Sequence, residues 1–225
     1  MTRTKLRDRT LPSYTRGEEI FNSVSHIVGG GFSIIACALC VVFSAIKGDV
    51  LLTVSTSIYG ASLIVLYCMS SIYHGLYPST GKKVMQVIDH CTIYFLIFGT
   101  YMPISLCAVA KISFWSGIAL VSAVGILCTV ACVLTAIDLK KYSVFSMICY
   151  ILAGWCVVLA MKLTLEALSV KGFLFLLGGG ISYTIGAVTY GIGKKHKYMH
   201  SVFHIFVVIG SILQFVSIFF FIVLK

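Results

Sequence analysis

The residues best suited to chemistry in this chain are ionisable side chains inside otherwise apolar segments, because burying such groups in a membrane is costly and usually serves a function. They fall at similar distances from the basic gaps that separate these segments. Measured from the nearest basic residue, these distances correspond to about 5 to 15 Å along a helix. The spacing therefore predicts one polar layer, shared by several helices near one membrane face. Its members are His26, His74, Asp89, His200 and His204.

Three of these histidines form a candidate metal site. His200-x-x-x-His204 would place two imidazoles on one helical face, one turn apart. Such pairs are common by chance, but His74 adds a third ligand from another segment. Three protein ligands with one position left for water are typical of catalytic zinc. Nitrogen ligands also suit copper, nickel or iron, and we expect zinc.

Two further side chains are candidates for catalysis beside this metal. Asp89 lies at the start of the third apolar segment, and Ser70 lies one turn before His74. A carboxylate at this depth could accept a proton from metal-bound water, bind the metal directly, or orient one of its ligands. We expect Asp89 and Ser70 to be the catalytic residues, and the sequence leaves these three roles of Asp89 open.

The sequence leaves the roles of several other polar side chains open. Glu18, Asn22 and His26 recur every four residues and form a polar stripe entering the first helix, which could extend the site or contact lipid head groups. His90 would point to a different helical face. His196 lies in a lysine-rich gap, where solvation accounts for it.

The elements that must position these residues are membrane helices. The chain has 225 residues, of which 59% are hydrophobic and 11% charged, against about 25% charged in soluble domains. Its mean hydropathy is +1.03. A membrane helix needs about 20 apolar residues, and the segments that qualify are 24–46, 50–76, 86–110, 113–136, 143–162, 172–192 and 199–224. We expect an all-α membrane protein: a seven-transmembrane helix bundle over 17–225 after a basic cytoplasmic tail at 1–16.

The basic residues predict the orientation of this bundle. The N-terminal tail and the alternate gaps that share its side hold twelve of the 17 Lys and Arg residues, and the opposite side holds five. Positive charge stays inside, so we expect a cytoplasmic N-terminus, an external C-terminus and a polar layer near the cytoplasmic face of a bacterial cell membrane. The expected partners are membrane lipids. Nucleic acid is excluded because no basic face with interleaved aromatics lies outside the spans.

Small residues in the spans are best explained by packing. The triple glycines at 29–31 and 178–180 lack the strand-then-helix setting of a phosphate loop and predict close helix contacts. The nine cysteines all lie in apolar runs, and Cys37-x-x-Cys40 is far from other candidate ligands, so we expect buried thiols. Pro103 should kink the third helix.

Taken together, these motifs resemble the haemolysin III family, which is related to the progestin and adipoQ receptors and, more distantly, to alkaline ceramidases. The resemblance covers roughly 17–224. It rests on the stripe from Glu18 to His26, the run Ser70-Ser71-Ile72-Tyr73-His74, Asp89-His90 followed by Gly99-Thr100-Tyr101-Met102-Pro103, and His200-x-x-x-His204. Any one motif would be unspecific, and the combination is specific.

The resemblance implies seven helices and a zinc ion bound by three histidines, which map onto His74, His200 and His204. It also implies an aspartate near the zinc water, at Asp89, and a serine, at Ser70. The relatives include lipid amidases and hormone receptors, and the bacterial name implies lysis of red cells. The chain lacks the long soluble N-terminal region of the animal receptors, so we do not expect hormone-receptor function.

Three functions fit these expectations. The first is a zinc-dependent hydrolase of a membrane lipid amide or ester, with Asp89 as general base. The second is a membrane sensor or regulator with structural zinc, which a closed fourth coordination position would favour. The third is a pore-forming cytolysin, against which the spans lack a continuous polar stripe. The substrate and the oligomeric state are not determined by the sequence.

Overall fold

Helices account for nearly all of the described chain. A computed structural model describes residues 4–193 and 196–225, and this part of the chain contains no strand. The main helices are α1 (Arg16–Ile46), α2 (Val50–Gly75), α3 (Thr80–Met102), α4 (Phe114–Ile137), α5 (Ser143–Trp155), α6 (Met161–Gly193) and α7 (Met199–Ile218). Shorter segments extend or join them, namely Leu6–Asp8, Pro103–Val109, Ala110–Ile112, Cys156–Ala160 and Phe219–Val223. The predicted all-α class is confirmed.

Side-chain caps explain where the first helices begin. Thr15 accepts a hydrogen bond from the Glu18 backbone N–H, and the Glu18 carboxylate accepts one from the Thr15 N–H at 2.8 Å, which together form a capping box. Asp49 caps α2 and Ser79 caps α3 in the simpler one-bond form. Each cap satisfies a backbone donor that a helix start would leave unpaired. The first helix therefore begins well before the apolar run that predicted it.

Small residues let the helices approach closely, as expected. A Cβ added at Gly29 would lie 2.5 Å from the Tyr67 ring, so this ring of α2 packs directly against the backbone of α1. A Cβ at Gly179 would lie 2.5 Å from Gln214 Cγ, which is the equivalent contact between α6 and α7. Both triple glycines lie inside helices, and Gly29 and Gly179 make the close helix contacts that were predicted.

The expectation of buried thiols holds for only part of the cysteines. All nine are free thiols, of which Cys40, Cys107, Cys128 and Cys149 are buried, four are partly exposed, and Cys68 is exposed on the surface of α2. Cys37 lies against Gly60 of α2, where an added Cβ would be 2.9 Å from the Cys37 Cα. Cys40 is fully buried in the core of the bundle. Cys37-x-x-Cys40 therefore belongs to the α1–α2 contact.

Two irregularities interrupt the helices. The expected kink at Pro103 takes the form of a π-helical segment, Pro103–Val109, which continues α3. Proline has no backbone N–H, so the regular hydrogen-bond pattern cannot continue through it. In the long helix α6, Ser169 has φ 61° and ψ 169°, which is outside the helical region and costly for a residue with a Cβ.

Within residues 4–193 and 196–225, six helical stretches are long and apolar enough to cross a membrane. The chain is therefore a multi-pass membrane protein. One of the six, Ser143–Gly191, has 49 residues and contains both the Cys156–Ala160 3₁₀ segment and the Ser169 break. It covers two of the seven segments predicted from hydropathy.

The N-terminal segment packs onto the bundle. The backbone N–H of Thr4 donates to Asp138 Oδ2 at 2.7 Å, and the Arg9 guanidinium donates to the Ile137 carbonyl at 3.1 Å. Arg9 is only 6% exposed. From its composition, the N-terminal tail was expected to be fully solvated. The structure instead places residues 4–14, hereafter the N-terminal strap, across one end of the helices.

Candidate metal centre

Three buried histidines meet at one end of the bundle. His74 comes from the last turn of α2, and His200 and His204 come from the first two turns of α7. They are 2%, 7% and 1% exposed, respectively. Each offers one ring nitrogen, and these nitrogens lie within 4.8 Å of one another. The structure thus brings together the three residues predicted as ligands, and the group could hold a metal ion.

The same nitrogen of each ring points to the centre. His200 Nε2 lies 3.2 Å from His74 Nε2 and 3.1 Å from His204 Nε2. Zinc binds imidazole nitrogen at 2.0–2.1 Å in tetrahedral geometry, so two nitrogens on one ion are about 3.3 Å apart. The observed separations match this value closely. The donor set and its geometry therefore fit zinc.

Hydrogen bonds at the opposite ring nitrogens determine which nitrogen carries the proton. His74 Nδ1 lies 2.6 Å from Glu19 Oε2, and His204 Nδ1 lies 3.2 Å from the Asn22 carbonyl. Both partners are acceptors, so both Nδ1 atoms must donate. The Nε2 lone pairs of His74 and His204 are then directed at His200 Nε2. A cation between the three rings satisfies all of these lone pairs.

Glu19 is a site residue that the sequence analysis missed. Its second oxygen accepts a hydrogen bond from Lys82 Nζ at 2.6 Å, so one carboxylate joins a ligand histidine to a buried lysine. Lys82 is 3% exposed and also donates to the Leu76 carbonyl at 2.8 Å. Glu19 does not belong to the four-residue repeat that begins at its neighbour Glu18, so that pattern did not predict it. The available signal was a second carboxylate beside the start of a helix that carries polar groups inward.

The predicted polar stripe on α1 docks this helix onto α7. Glu18 Oε1 accepts the Tyr198 backbone N–H at 2.6 Å, which holds the residue before α7 in its left-handed conformation (φ 62°). Asn22 Oδ1 accepts from Ser201 Oγ at 2.7 Å. His26 stacks on His204, with ring centroids 3.7 Å apart and planes 19° apart. The stripe thus extends the site and orients the two ligands of α7.

Tyrosine rings cover the histidine cluster. Tyr14, at the end of the N-terminal strap, stacks on His200 with centroids 5.0 Å apart and lies 5.8 Å from His74. Tyr190 of α6 also packs against His200, with ring centroids 5.4 Å apart. Burial raises the pKa of the Tyr14 phenol, so Tyr14 is a neutral aromatic cover. This enclosure keeps bulk water away from the cluster.

Asp89 and Ser70, the predicted catalytic residues, line a cavity of about 440 Å³ together with His200 and His204. Ser70 of α2 and Asp89 of α3 thus face the same space. Among the described residues, the group within ligand distance consists of the three histidines, and Asp89 lies outside it. The carboxylate is therefore placed beside the metal group and faces the same space.

The remaining histidines differ in their surroundings. His90 also lines the cavity, and its Nδ1 lies 2.8 Å from the Gln86 carbonyl and 3.7 Å from Asp89 Oδ2. His196 is exposed, as expected for a solvated loop residue. His26 is buried, and neither of its ring nitrogens has a hydrogen-bond partner in the described chain.

Away from the histidines the cavity becomes apolar. It passes Leu66, Leu96 and Ile97 and reaches Trp155 and Gly180. A second cavity of about 150 Å³ shares Trp155 and Gly180 with it and continues among Val157, Leu176 and other apolar side chains. A polar end that contains His200 and His204, followed by a long apolar extension, matches the shape of an amphiphile.

Comparison with known proteins agrees with this geometry. A family model described as "Haemolysin-III related" matches residues 14–215. The chain is 30% identical to "Hemolysin-3" of Bacillus cereus over 205 residues, which cover 91% of this chain and 92% of that protein. It is 33% identical to "Hemolysin-3 homolog" of Bacillus subtilis (strain 168) over 208 residues, covering 92% and 96%. Relatives of this kind fit the expected location in a bacterial cell membrane. The match along most of the chain, on a multi-pass helical fold with a three-histidine group, shows that the chain belongs to the haemolysin-III-related family.

Proposed function

We propose that this protein is a zinc-dependent hydrolase that cleaves an amide or ester bond of a membrane lipid. One observation carries the proposal: three imidazole nitrogens lie together with the spacing of a zinc site, and two of the three histidines, His200 and His204, line the polar end of a cavity that continues into apolar space. A lipid has the same polarity along its length. Its carbonyl linkage would lie at the histidines and its acyl chain in the apolar part.

The roles of individual residues follow from their positions. When bound, zinc would polarise the carbonyl and lower the pKa of its water to about 7. His74, His200 and His204 would hold the ion, with Glu19 and the Asn22 carbonyl fixing two of the rings. Asp89 accepts the proton from the attacking water and passes it to the leaving group. Ser70, which lines the same cavity, would donate to the Asp89 carboxylate and orient it.

The proposal includes a seven-span topology with a cytoplasmic N-terminus. At about 1.5 Å per residue, the 49 residues of Ser143–Gly191 would be some 73 Å long, against about 30 Å for the hydrocarbon core. The non-helical Ser169 supports two crossings with a turn between them. With the excess of basic residues inside, the site would face the inner leaflet.

A sensor with structural zinc is the second candidate, and the enclosure of the site favours it. Tyr14 covers His200, and the strap that carries it is anchored at Asp138. A closed, permanently occupied site needs no access for substrate. A pore-forming cytolysin is the third candidate, in keeping with the name of the Bacillus cereus relative.

One substitution separates these functions. Asp89→Asn keeps the shape of the side chain and removes its basicity. We expect purified protein to keep zinc, while hydrolysis of fluorescent N-acyl and O-acyl lipids in vesicles falls by about 10²–10⁴. Loss of zinc in this variant, with no hydrolysis by the wild type, would favour the sensor. Vesicle leakage that is unaffected by Asp89→Asn, again with no hydrolysis, would favour the pore.

Two neighbouring serines provide a matched control. Ser70 faces the cavity and Asp89, whereas Ser71 donates to the Tyr67 carbonyl at 2.7 Å within α2. Ser70→Ala should slow hydrolysis because the carboxylate loses its orienting donor, and Ser71→Ala should leave the rate unchanged. Equal effects of the two substitutions would contradict the role given to Ser70.

A further inference from the structure

A polar side chain lies in the apolar part of the cavity, far from the histidines. Gln214 is on α7, ten residues after His204, which corresponds to about 15 Å along the helix. It lines the same cavity as His200 and His204. An amide at this depth in a membrane protein is costly unless it has a partner.

The surrounding walls offer Gln214 no partner. Among the described residues no hydrogen bond reaches its amide, and the nearby polar groups are already used. The Tyr101 hydroxyl donates to the Gly154 carbonyl at 2.9 Å and accepts from the Val157 N–H at 2.8 Å. Thr184 Oγ1 accepts from Trp155 Nε1 at 3.0 Å. An unpaired amide in such surroundings calls for a ligand group or water.

Close packing holds this amide in place. The backbone of α6 lies directly against the stem of the side chain, since a Cβ at Gly179 would be 2.5 Å from Gln214 Cγ. The stem therefore cannot move toward α6. Gln214 also belongs to the wall of the second cavity, whose far part is formed by Ile104, Phe173 and Leu176. The amide thus stands between two apolar spaces.

We propose that Gln214 is a second recognition point, which selects an acyl chain bearing a hydroxyl or another hydrogen-bonding group within the chain. This inference rests on the proposed function, because it assumes that the carbonyl end lies at the histidines. An extended chain advances about 1.2 Å per bond. The in-chain group therefore lies about 12 bonds from the carbonyl, and apolar chain beyond it fills the second cavity.

The test uses three fatty acids as probes on purified zinc-loaded protein. They are octadecanoic, 12-hydroxyoctadecanoic and 2-hydroxyoctadecanoic acid, and the measurement is the Kd of each by calorimetry. Wild type should bind the 12-hydroxy acid about tenfold more tightly than the unsubstituted acid, the gain of one hydrogen bond in a dry site. The 2-hydroxy acid is equally polar, but its hydroxyl lies at the wrong end and should gain nothing at Gln214.

Substitutions assign the preference to this residue. Gln214→Leu should equalise the 12-hydroxy and unsubstituted acids, and Gln214→Met provides a second apolar variant if the first folds poorly. Gln86→Leu removes an amide from the histidine end of the same cavity and should keep the preference. Equal binding of these two acids by wild type, or a preference that survives in both Gln214 variants, would overturn the inference and leave the proposed function standing. If wild type binds none of the acids and hydrolyses no lipid, the proposed function fails first and the inference with it.

Discussion

Replacing Glu19 by Gln tests how the metal centre is held. Glu19 accepts from His74 Nδ1 and from Lys82 Nζ, each at 2.6 Å. A glutamine has one acceptor oxygen and can serve only one of these donors, so the His74 ring loses its fixed tautomer or Lys82 loses its counter-ion. Loss of the residue that accepts a hydrogen bond from a metal-binding histidine usually lowers the metal affinity 10- to 100-fold, which is about 1.4–2.7 kcal/mol.

The buried lysine complicates this substitution. Lys82 is 3% exposed, and an unpaired buried charge destabilises a fold. The double variant Glu19→Gln/Lys82→Met removes the charge along with its partner, so it should recover thermal stability. Its zinc affinity should stay 10- to 100-fold below that of wild type.

The assay is chelator competition for zinc, with thermal unfolding of the metal-free proteins measured in parallel. His196→Ala is the matched control, because this histidine is exposed and is not one of the three proposed ligands. Wild-type zinc affinity in both Glu19 variants would refute the reasoning that the carboxylate fixes His74.

Three further predictions address packing, the strap and topology. Gly29→Ala should lower stability by about 1–3 kcal/mol in thermal unfolding, because its Cβ would meet the Tyr67 ring, whereas Gly31→Ala, with open space around it, should not. The hydrogen bond from the Thr4 backbone N–H is the main cause that lowers the pKa of Asp138 to about 2 from its ordinary 3.8. Docking of the strap should therefore be complete above about pH 4 and should weaken as the pH falls toward 2. Hydrogen exchange in the strap should rise over that range, and Asp138→Asn should raise it at neutral pH. A reporter fused after Lys225 should be active only outside the cytoplasm, and cytoplasmic activity would overturn the proposed orientation.

The group of three histidines could be predicted from the sequence, because polar residues are rare inside membrane spans and therefore informative. An ionisable group in an apolar span is costly to bury and therefore usually has a function. The rise of a helix per residue then gives the depth of that group in the membrane. His74, His200 and His204 were identified in this way. Asp89 was predicted in the same way and Ser70 from its place one turn before His74, and the structure places both on a shared cavity.

The role of Glu19 and the docking of the N-terminal segment could not be predicted, because they depend on contacts between residues that are distant in the sequence. Glu19 sits in the first turn of α1, where an acidic residue is already explained by helix capping and dipole effects, so its bond to His74 was hidden. The docking of Arg9 depends on a carbonyl of Ile137, far along the chain. The N-terminal segment is basic and polar, and composition alone describes such a segment as solvated.

X-ray absorption at the zinc edge of the purified protein tests the central claim most directly. The account predicts about one zinc per chain with three imidazole nitrogens at 2.0–2.1 Å, and a first shell that is disrupted in both His74→Ala and His200→Ala. No bound metal in the wild type, sulfur in the first shell, or an unchanged spectrum in these variants would contradict it.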